Sequence, residues 1–302
     1  MANVEIVMGV RDGAAHLSAQ LASFLRQSHK DWTLLVSDDG SEDRSHEIVA
    51  AFGTDQAQGR VRLIDGPKTG AAANYLHLLA NADKDADFIA LSDQDDVWFP
   101  ERLTRGIDAL KVLSRERPTL YAAQTVLIDT DGWPLRHRTG RAKSPTFSNA
   151  LVQNITAGNT IMLNRGAADL AARAQTSRTP PFHDWWLYAL IKGAGGHVVI
   201  DPQPVLAYRQ HGGSILGAHR GWAAGVARAR LVANGTWRSW LSAHHRALES
   251  VAAELTDENQ TRLAHLLHPR VPRLAAFARA RVQRQGHIGT AALGLAALAG
   301  RA

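Results

Sequence analysis

The chain contains no cysteine, which excludes disulfide staples, thiolate metal sites and cysteine nucleophiles, and fits a reducing compartment. No stretch reaches the roughly 18 uninterrupted apolar residues that a membrane span needs. The longest weakly apolar piece, Ile288 to Ala299, is short and made mostly of Gly and Ala. The opening MANVEIVMGV lacks a basic region and carries Glu5 inside its first apolar run, so it reads as a strand and not as a secretory leader. A cytoplasmic protein, soluble or peripheral on a membrane, is the expectation. No G-x-G-x-x-G follows the first strand, which argues against a dinucleotide dehydrogenase. There is no internal repeat.

What is present is a chain of 302 residues, 45% hydrophobic, enough for one large domain, or one domain with a smaller appendage. The formal net charge is +6 and the pI is near 10.0, which raises nucleic acid as a partner, but the distribution argues otherwise. Residues 220–302 hold 12 Arg and no Lys against 4 acidic residues, and residues 1–219 hold 22 basic against 24 acidic ones. A basic tail on a slightly acidic body suits an anionic membrane surface at least as well as nucleic acid, and no nucleic-acid-binding motif is present.

Val4 to Val10, Thr33 to Ser37, Val61 to Ile64 and Phe88 to Leu91 read as short buried strands. Between them, Leu17, Leu21, Phe24 and Leu25, then Ile48, Val49 and Phe52, then Ala71 to Ala82, recur at helical spacing. Alternation of this kind predicts βαβ units and a mainly parallel sheet, with ligands bound at the carboxyl ends of its strands. The second half is mixed: strands at Leu120–Ile128, Thr160–Leu163, Val198–Ile200 and Val205–Tyr208, a helix over Asp184–Ile191, and helical sequence from Trp222 onward. Gly212-Gly213 and Gly217 place a boundary near 215–222, dividing the chain into 1–219 and a basic helical extension, 220–302.

The acidic clusters fall at strand ends. Asp93-Gln94-Asp95-Asp96 sets three carboxylates within four residues, an arrangement costly to bury unless a cation or donor neutralises it. Hard carboxylate oxygens suit Mg²⁺ or Mn²⁺; the alternative is a solvated acidic turn before the helix that Pro100-Glu101 would start. Asp38-Asp39-Gly40-Ser41 is the second cluster, able to accept hydrogen bonds from a base or a ribose, or to serve as an Asx turn and helix cap.

Together these segments resemble the family 2 glycosyltransferases. The opening strand, SDDGS (37–41), Gly70 with Asn74 in GAAANYLHLL, SDQDDVW followed by Pro100-Glu101-Arg102-Leu103, TAGNTIMLNR (156–165), PFHDWWLYALIKGAGGHVVID (181–201) and AYRQHGGSILG (207–217) occur in the family's order. The subgroup most similar is the rhamnosyltransferase-like enzymes of bacterial surface polysaccharide synthesis; the last 80 or so residues fall outside it. The resemblance implies a GT-A fold, an α/β nucleotide-diphospho-sugar transferase architecture with a Rossmann-like central sheet, here with a C-terminal helical extension.

It also implies roles. Asp39 would read the nucleotide base, with Val10 and Arg11 lining that pocket and Gly70 and Asn74 close to the donor. Asp93 and Asp95 match the family's Asp-x-Asp motif, Asp93 facing ribose or metal and Asp95 holding Mg²⁺ or Mn²⁺ against the diphosphate, with Asp96 behind them. Asp184 stands at the position of the catalytic base, where an N-cap is the alternative, and Trp185 or Trp186 would stack on an acceptor sugar unless they belong to the core. Arg209 would pair with phosphate oxygens and His211 would ligate the metal; relatives often carry Asn where Ser214 stands. The implied activity is inverting transfer of a sugar, with dTDP-rhamnose the favoured donor, to a glycan or lipid-linked acceptor at the inner-membrane surface. A catalytically silent nucleotide-sugar-binding partner subunit is the alternative. A nucleotidyltransferase is disfavoured, because its first loop is Gly-rich and basic, whereas this one is Arg11-Asp12-Gly13-Ala14. The C-terminal arginines, with Trp222, Trp237 and Trp240 among them, suit docking on an anionic leaflet or a helical appendage packed on the core.

Overall fold

In strand β1 (Val4–Val10), Val4, Ile6, Met8 and Val10 point to one side and Val7 to the other, and all five are buried. The same alternation runs through β2 (Trp32–Asp38), β4 (Phe88–Ser92) and β6 (Thr119–Ile128). A sheet apolar on both faces needs cover on both. The computed structural model, which describes residues 2–129, 132–133, 144–176, 178–209, 226 and 229–301, supplies it. On one face lie α1 (Ala14–Leu25), α2 (Ser45–Asp55) and α4 (Arg102–Lys111), through Leu17, Leu21, Phe24, Val49, Phe52, Leu103 and Leu110. The other face is covered by α3 (Ala71–Asn81), α5 (Phe147–Ala150), α6 (Arg165–Arg173) and α7 (His183–Gly193).

With β3 (Val61–Asp65), β5 (Val97–Trp98), β7 (Met162–Asn164) and β8 (His197–Arg209), the eight strands lie in the order β3-β2-β1-β4-β7-β6-β8-β5. β3, β2, β1 and β4 are mutually parallel, whereas β7 runs antiparallel to both β4 and β6. The chain builds outward from β1 through β2 to β3 and then returns to place β4 on β1's other side. That reversal opens a crevice at the carboxyl ends of β1 and β4.

The strand expectations hold to within a residue or two at five of the sites. Three differences have physical causes. Thr160 belongs to a 3-10 turn (Gly158–Thr160), and the strand begins only at Met162. The two strands expected at 198–200 and 205–208 are one, because a register shift from Ala123↔Asp201 to Gln124↔Pro204 absorbs Pro202 and Gln203. The two-residue β5 carries too little sequence to signal itself.

Among the described residues, helical backbone at 229–233 is followed by four helices: α8 (Thr236–Glu249), α9 (Asp257–Leu267), α10 (Arg273–Arg279) and α11 (His287–Leu298). Leu241, Leu248, Leu263, Leu266 and Phe277 join the same hydrophobic cluster as α7. Polar ties accompany them: Asn259 Nδ2 donates to the carbonyl of Gly193 at 2.9 Å, and His245 Nε2 lies 2.8 Å from the Leu151 carbonyl. The described part of the extension is thus packed on the body through a shared core. The expected boundary near 215–222, with Trp222, lies outside the described residues. Among the described residues no helix is long and apolar enough to cross a membrane.

Candidate functional site

The crevice at the sheet reversal is a cleft of about 280 Å³. Gly9, Val10 and Arg11 line it from β1, Asp39 from β2, Ala71, Asn74 and Tyr75 from α3, Asp93, Gln94 and Asp95 from the turn after β4, and Tyr208 from β8. Its rim is braced across the loops. Gln94 accepts from the Arg11 N–H and donates to the Arg11 carbonyl, both at 2.9 Å, as a strand neighbour would. Helix α1 has no side-chain cap of its own; Gly13 N donates to Ser45 Oγ at 2.8 Å and Ala14 N to Asp43 Oδ2 at 2.9 Å instead.

The two aspartates after β2 divide the two readings between them. Asp38 makes the Asx turn, its Oδ1 accepting from the N–H groups of Gly40 and Ser41. Asp39 faces the cleft, Oδ1 accepting from Lys68 N at 2.6 Å and Oδ2 from Gly70 N at 2.9 Å, with Arg11 Nη1 3.9 Å away. Aiming those two N–H groups at one carboxylate requires left-handed backbone at Lys68 (φ 58°) and Gly70 (φ 100°). At Gly66 a Cβ would fall within 2.9 Å of the Asp38 carbonyl, Asn74 Oδ1 and the Asp39 Cα, so only glycine fits beneath this turn. Asn74 lines the cleft while its amide is tied to Ser37, accepting from Oγ and donating to the carbonyl. Gly70 serves through its N–H and its backbone angle.

The turn after β4 is not a solvated cap. One carboxylate oxygen each of Asp93, Asp95 and Asp96 lies within 4.8 Å of the other two, and Asp96 is fully buried. Burial, then the charge of Asp95, pushes the Asp93 carboxyl up to about 7, and burial with the charges of Asp93 and Asp95 raises Asp96 well above its ordinary value. Three oxygen donors that cannot all ionise comfortably are a fitting donor set for a hard divalent cation, and Asp96 Oδ1 is buried without a hydrogen-bond partner. Asp96 Oδ2 accepts from Asn159 Nδ2 at 2.7 Å. Beneath the cluster lies Arg102, itself buried, its Nη2 donating to the carbonyls of Leu91 and Asn159 and its guanidinium 3.5 Å from the centroid of the Trp98 ring.

Asp184 sits in the first turn of α7, whose N-terminus favours negative charge. Its Oδ1 accepts from Trp185 N at 2.7 Å and Oδ2 from Asn154 Nδ2 at 2.8 Å. Burial outweighs these donors and holds the carboxyl at about 6, within the range useful to a general base. Asp184 is close enough that its charge contributes to raising Asp93. The link between them is Tyr75: its hydroxyl lies 2.8 Å from Asp93 Oδ1 and 2.5 Å from the Ser92 carbonyl, and its ring stacks on His183 at 3.8 Å. Burial pushes His183 down to about 3, so it stays neutral.

Some expected residues lie elsewhere. Trp185 and Trp186 are 3% and 0% exposed, and Trp185 Nε1 donates to the Ala150 carbonyl. Neither offers a ring face to a sugar; the helix turns both into the core because Trp185, Leu187, Tyr188 and Ile191 cover the sheet there. Arg209 is 8% exposed, with Nε 3.3 Å from the Asp95 carbonyl and Nη1 3.4 Å from that of Asp129, so it braces the acidic turn. His211 and Ser214 lie outside the described residues. Tyr75, Gln94, Asn154, Asn159 and Tyr208 were not legible as site residues. Their only signal is polarity or aromaticity, which acquires meaning once α3 and the 154–160 turn are placed.

Residues 6–167 match the family model Glycosyl transferase family 2. The dTDP-rhamnosyl transferase RfbG of Shigella flexneri is 25% identical over 238 residues, 76% of this chain and 81% of that protein. The UDP-Glc:alpha-D-GlcNAc-diphosphoundecaprenol beta-1,3-glucosyltransferase WfgD of Escherichia coli is 30% identical over 107 residues, 35% of this chain and 40% of that protein. Among solved structures, the mannosyltransferase PcManGT from Pyrobaculum calidifontis, in complex with GDP-Man and Mn²⁺, superimposes with a TM-score of 0.54 at 16% identity, covering 99% of this chain and 86% of that one. The sheet order and the structural likeness give the GT-A fold, and the family match spans more than half of the sequence; the chain belongs to glycosyl transferase family 2 and is a glycosyltransferase.

Proposed function

We propose that the chain transfers a sugar, with inversion, from a nucleoside-diphosphate sugar to a glycan or lipid-linked acceptor in bacterial surface polysaccharide synthesis. The observation that carries the reading is that Asp39, Asp93 and Asp95 line one crevice at the sheet reversal, with Asp96 gathered against the latter two and Asp184 near enough for its charge to raise Asp93. Asp39 and Arg11 are suited to a base and ribose at the β1–β2 side. Asp93 and Asp95 would hold Mg²⁺ or Mn²⁺, with Asp96 behind them. Such a cation supplies charge neutralisation of the diphosphate.

The rest of the chemistry falls to the chain itself. An acceptor hydroxyl oxygen attacks the anomeric carbon as the bond from that carbon to the diphosphate oxygen breaks. The hydroxyl proton passes to a carboxylate oxygen of Asp184, and the nucleoside diphosphate leaves with the electron pair. Rhamnose is the favoured sugar, because the relative similar over four fifths of its own length is a dTDP-rhamnosyl transferase. A lipid-linked acceptor is favoured by the diphosphoundecaprenol in the other relative's name. A silent binding subunit would not need an intact base, and Asp95 and Asp184 are both present.

The test is release of nucleoside diphosphate from a panel of dTDP-, UDP- and GDP-sugars with lipid-linked acceptor. One donor is expected to turn over, dTDP-rhamnose first; binding of a donor without turnover of any would favour the silent subunit.

Tyr75 offers a finer check. Tyr75→Phe removes the hydroxyl shared between Asp93 and the buried Ser92 carbonyl and keeps the ring on His183. A loss of about 1 kcal/mol in orienting the carboxylate corresponds to roughly fivefold weaker Mn²⁺ binding, read by titration calorimetry, with a lower melting temperature from the carbonyl left without its partner. Unaltered Mn²⁺ affinity would show that Asp93 is held without Tyr75.

A further inference from the structure

Helix α11 turns an apolar face to solvent. Ile288, Leu295 and Leu298 are 88%, 68% and 68% exposed, and Ala291, Ala292 and Ala299 are exposed with them. At 3.6 residues per turn these six fall within an arc of about 120°, bordered by His287. Leu293 and Ala297, on the opposite side, are buried. Leu274 of α10 extends the patch: it is 42% exposed, and its Cδ1 lies 3.8 Å from where a Cβ on Gly294 would stand. Of the six large hydrophobic side chains that are exposed among the described residues, four lie here, so this is a patch and not ordinary scatter.

Along the sequence, the charge from residue 259 onward has one sign, although Arg262 is paired with Glu258. Residues 259–302 contain seven arginines and no aspartate or glutamate. Arg238 Nη1 donates to the Gly300 carbonyl at 2.9 Å and so stands at the C-terminal end of α11 beside Arg301. A helix of 12 residues is about 18 Å long, too short to cross a bilayer. Apolar on its outer face and set in cationic surroundings, it matches helices that lie in the headgroup region of anionic membranes. A two-fold contact with a second copy would instead bring two such arginine-rich segments together.

We propose that the outer face of α11, with Leu274, docks the protein on an anionic phospholipid bilayer. This inference is independent of the transfer reaction, and its test needs no turnover. The full chain is floated with vesicles of phosphatidylcholine alone and of phosphatidylcholine mixed with phosphatidylglycerol. Recovery on the anionic vesicles only, weakening as salt is raised, is expected. The double variant Ile288→Glu, Leu295→Glu should lose about tenfold or more of that recovery while keeping its melting temperature, because both side chains lie in solvent. Equal recovery of variant and wild type, equal recovery on neutral vesicles, or no recovery of wild type on either vesicle would each overturn the proposal. So would a concentration-dependent dimer that the double variant abolishes without any vesicle binding, which would assign the face to a second copy.

Discussion

Replacing Asp184 with asparagine is expected to lower kcat by about 10²- to 10⁴-fold, the range for loss of a positioned general base, while donor binding stays within a factor of two or so of wild type. The carboxylate's hydrogen-bond partners include Trp185 N and Asn154 Nδ2, which belong to α7 and the turn before residue 160 and not to the Arg11–Asp39 side of the cleft. Asparagine can still accept from one of them, and it removes a charge that burial already disfavours, so the fold should survive. The pH profile is the second readout. A carboxyl held at about 6 works only when ionised, so the rate should rise with pH through that region, with about a tenth of the neutral-pH rate left one unit below it. A cation bound at the neighbouring cluster would move this limb to lower pH. Calorimetry with the donor and single-turnover transfer separate binding from chemistry. Full activity in Asp184→Asn would remove the base assignment, whatever becomes of the metal site.

Removal of divalent metal should be equally severe. EDTA is expected to abolish transfer and Mn²⁺ or Mg²⁺ to restore it, and Asp95→Asn should remain inactive at any metal concentration. The same carboxylates make a stability prediction of definite sign. Asp93 in the folded chain sits near 7, above its ordinary 3.8. Its contribution is therefore favourable while protonated and is lost as pH rises through about 7. Metal-free protein at pH 8 carries mutually repelling, partly buried charges, and Asp93→Asn should melt several degrees higher there, with the gain shrinking as pH falls through 7. Mn²⁺ at about a hundred times its Kd adds roughly 2.7 kcal/mol to the wild type, on the order of 5 °C for a chain of this size. That shift should vanish in Asp95→Asn. Scanning calorimetry with and without Mn²⁺ reads both effects; a metal shift that persists in Asp95→Asn would place the cation elsewhere.

Helix α7 shows why part of this site could be read from the chain and part could not. Asp184 stands in a recognisable local string and on the first turn of a helix, both properties of neighbouring residues. Whether the next two tryptophans face ligand or core depends on what lies across from them, and the Ala150 carbonyl and the α8 side chains come from distant sequence. Tyr75 is similar: helical spacing places it on α3, but its reach to Asp93 and its stack on His183 join three separated segments. Arg209 is the opposite case, a residue whose chemistry the chain displays but whose contacts with the carbonyls of Asp95 and Asp129 only the fold reveals.

By itself the amino-acid order determined the alternating strands and helices, the acidic turns at strand ends and the apolar periodicity of both sheet faces, because each depends on residues within a turn or two of one another. Only the tertiary structure decided which acidic turn became a crowded cluster and which an Asx turn, which aromatic rings were buried, and which helix kept an apolar face in water. Those outcomes depend on desolvation and on contacts between residues tens to hundreds of positions apart, and no local pattern encodes how much water a side chain loses.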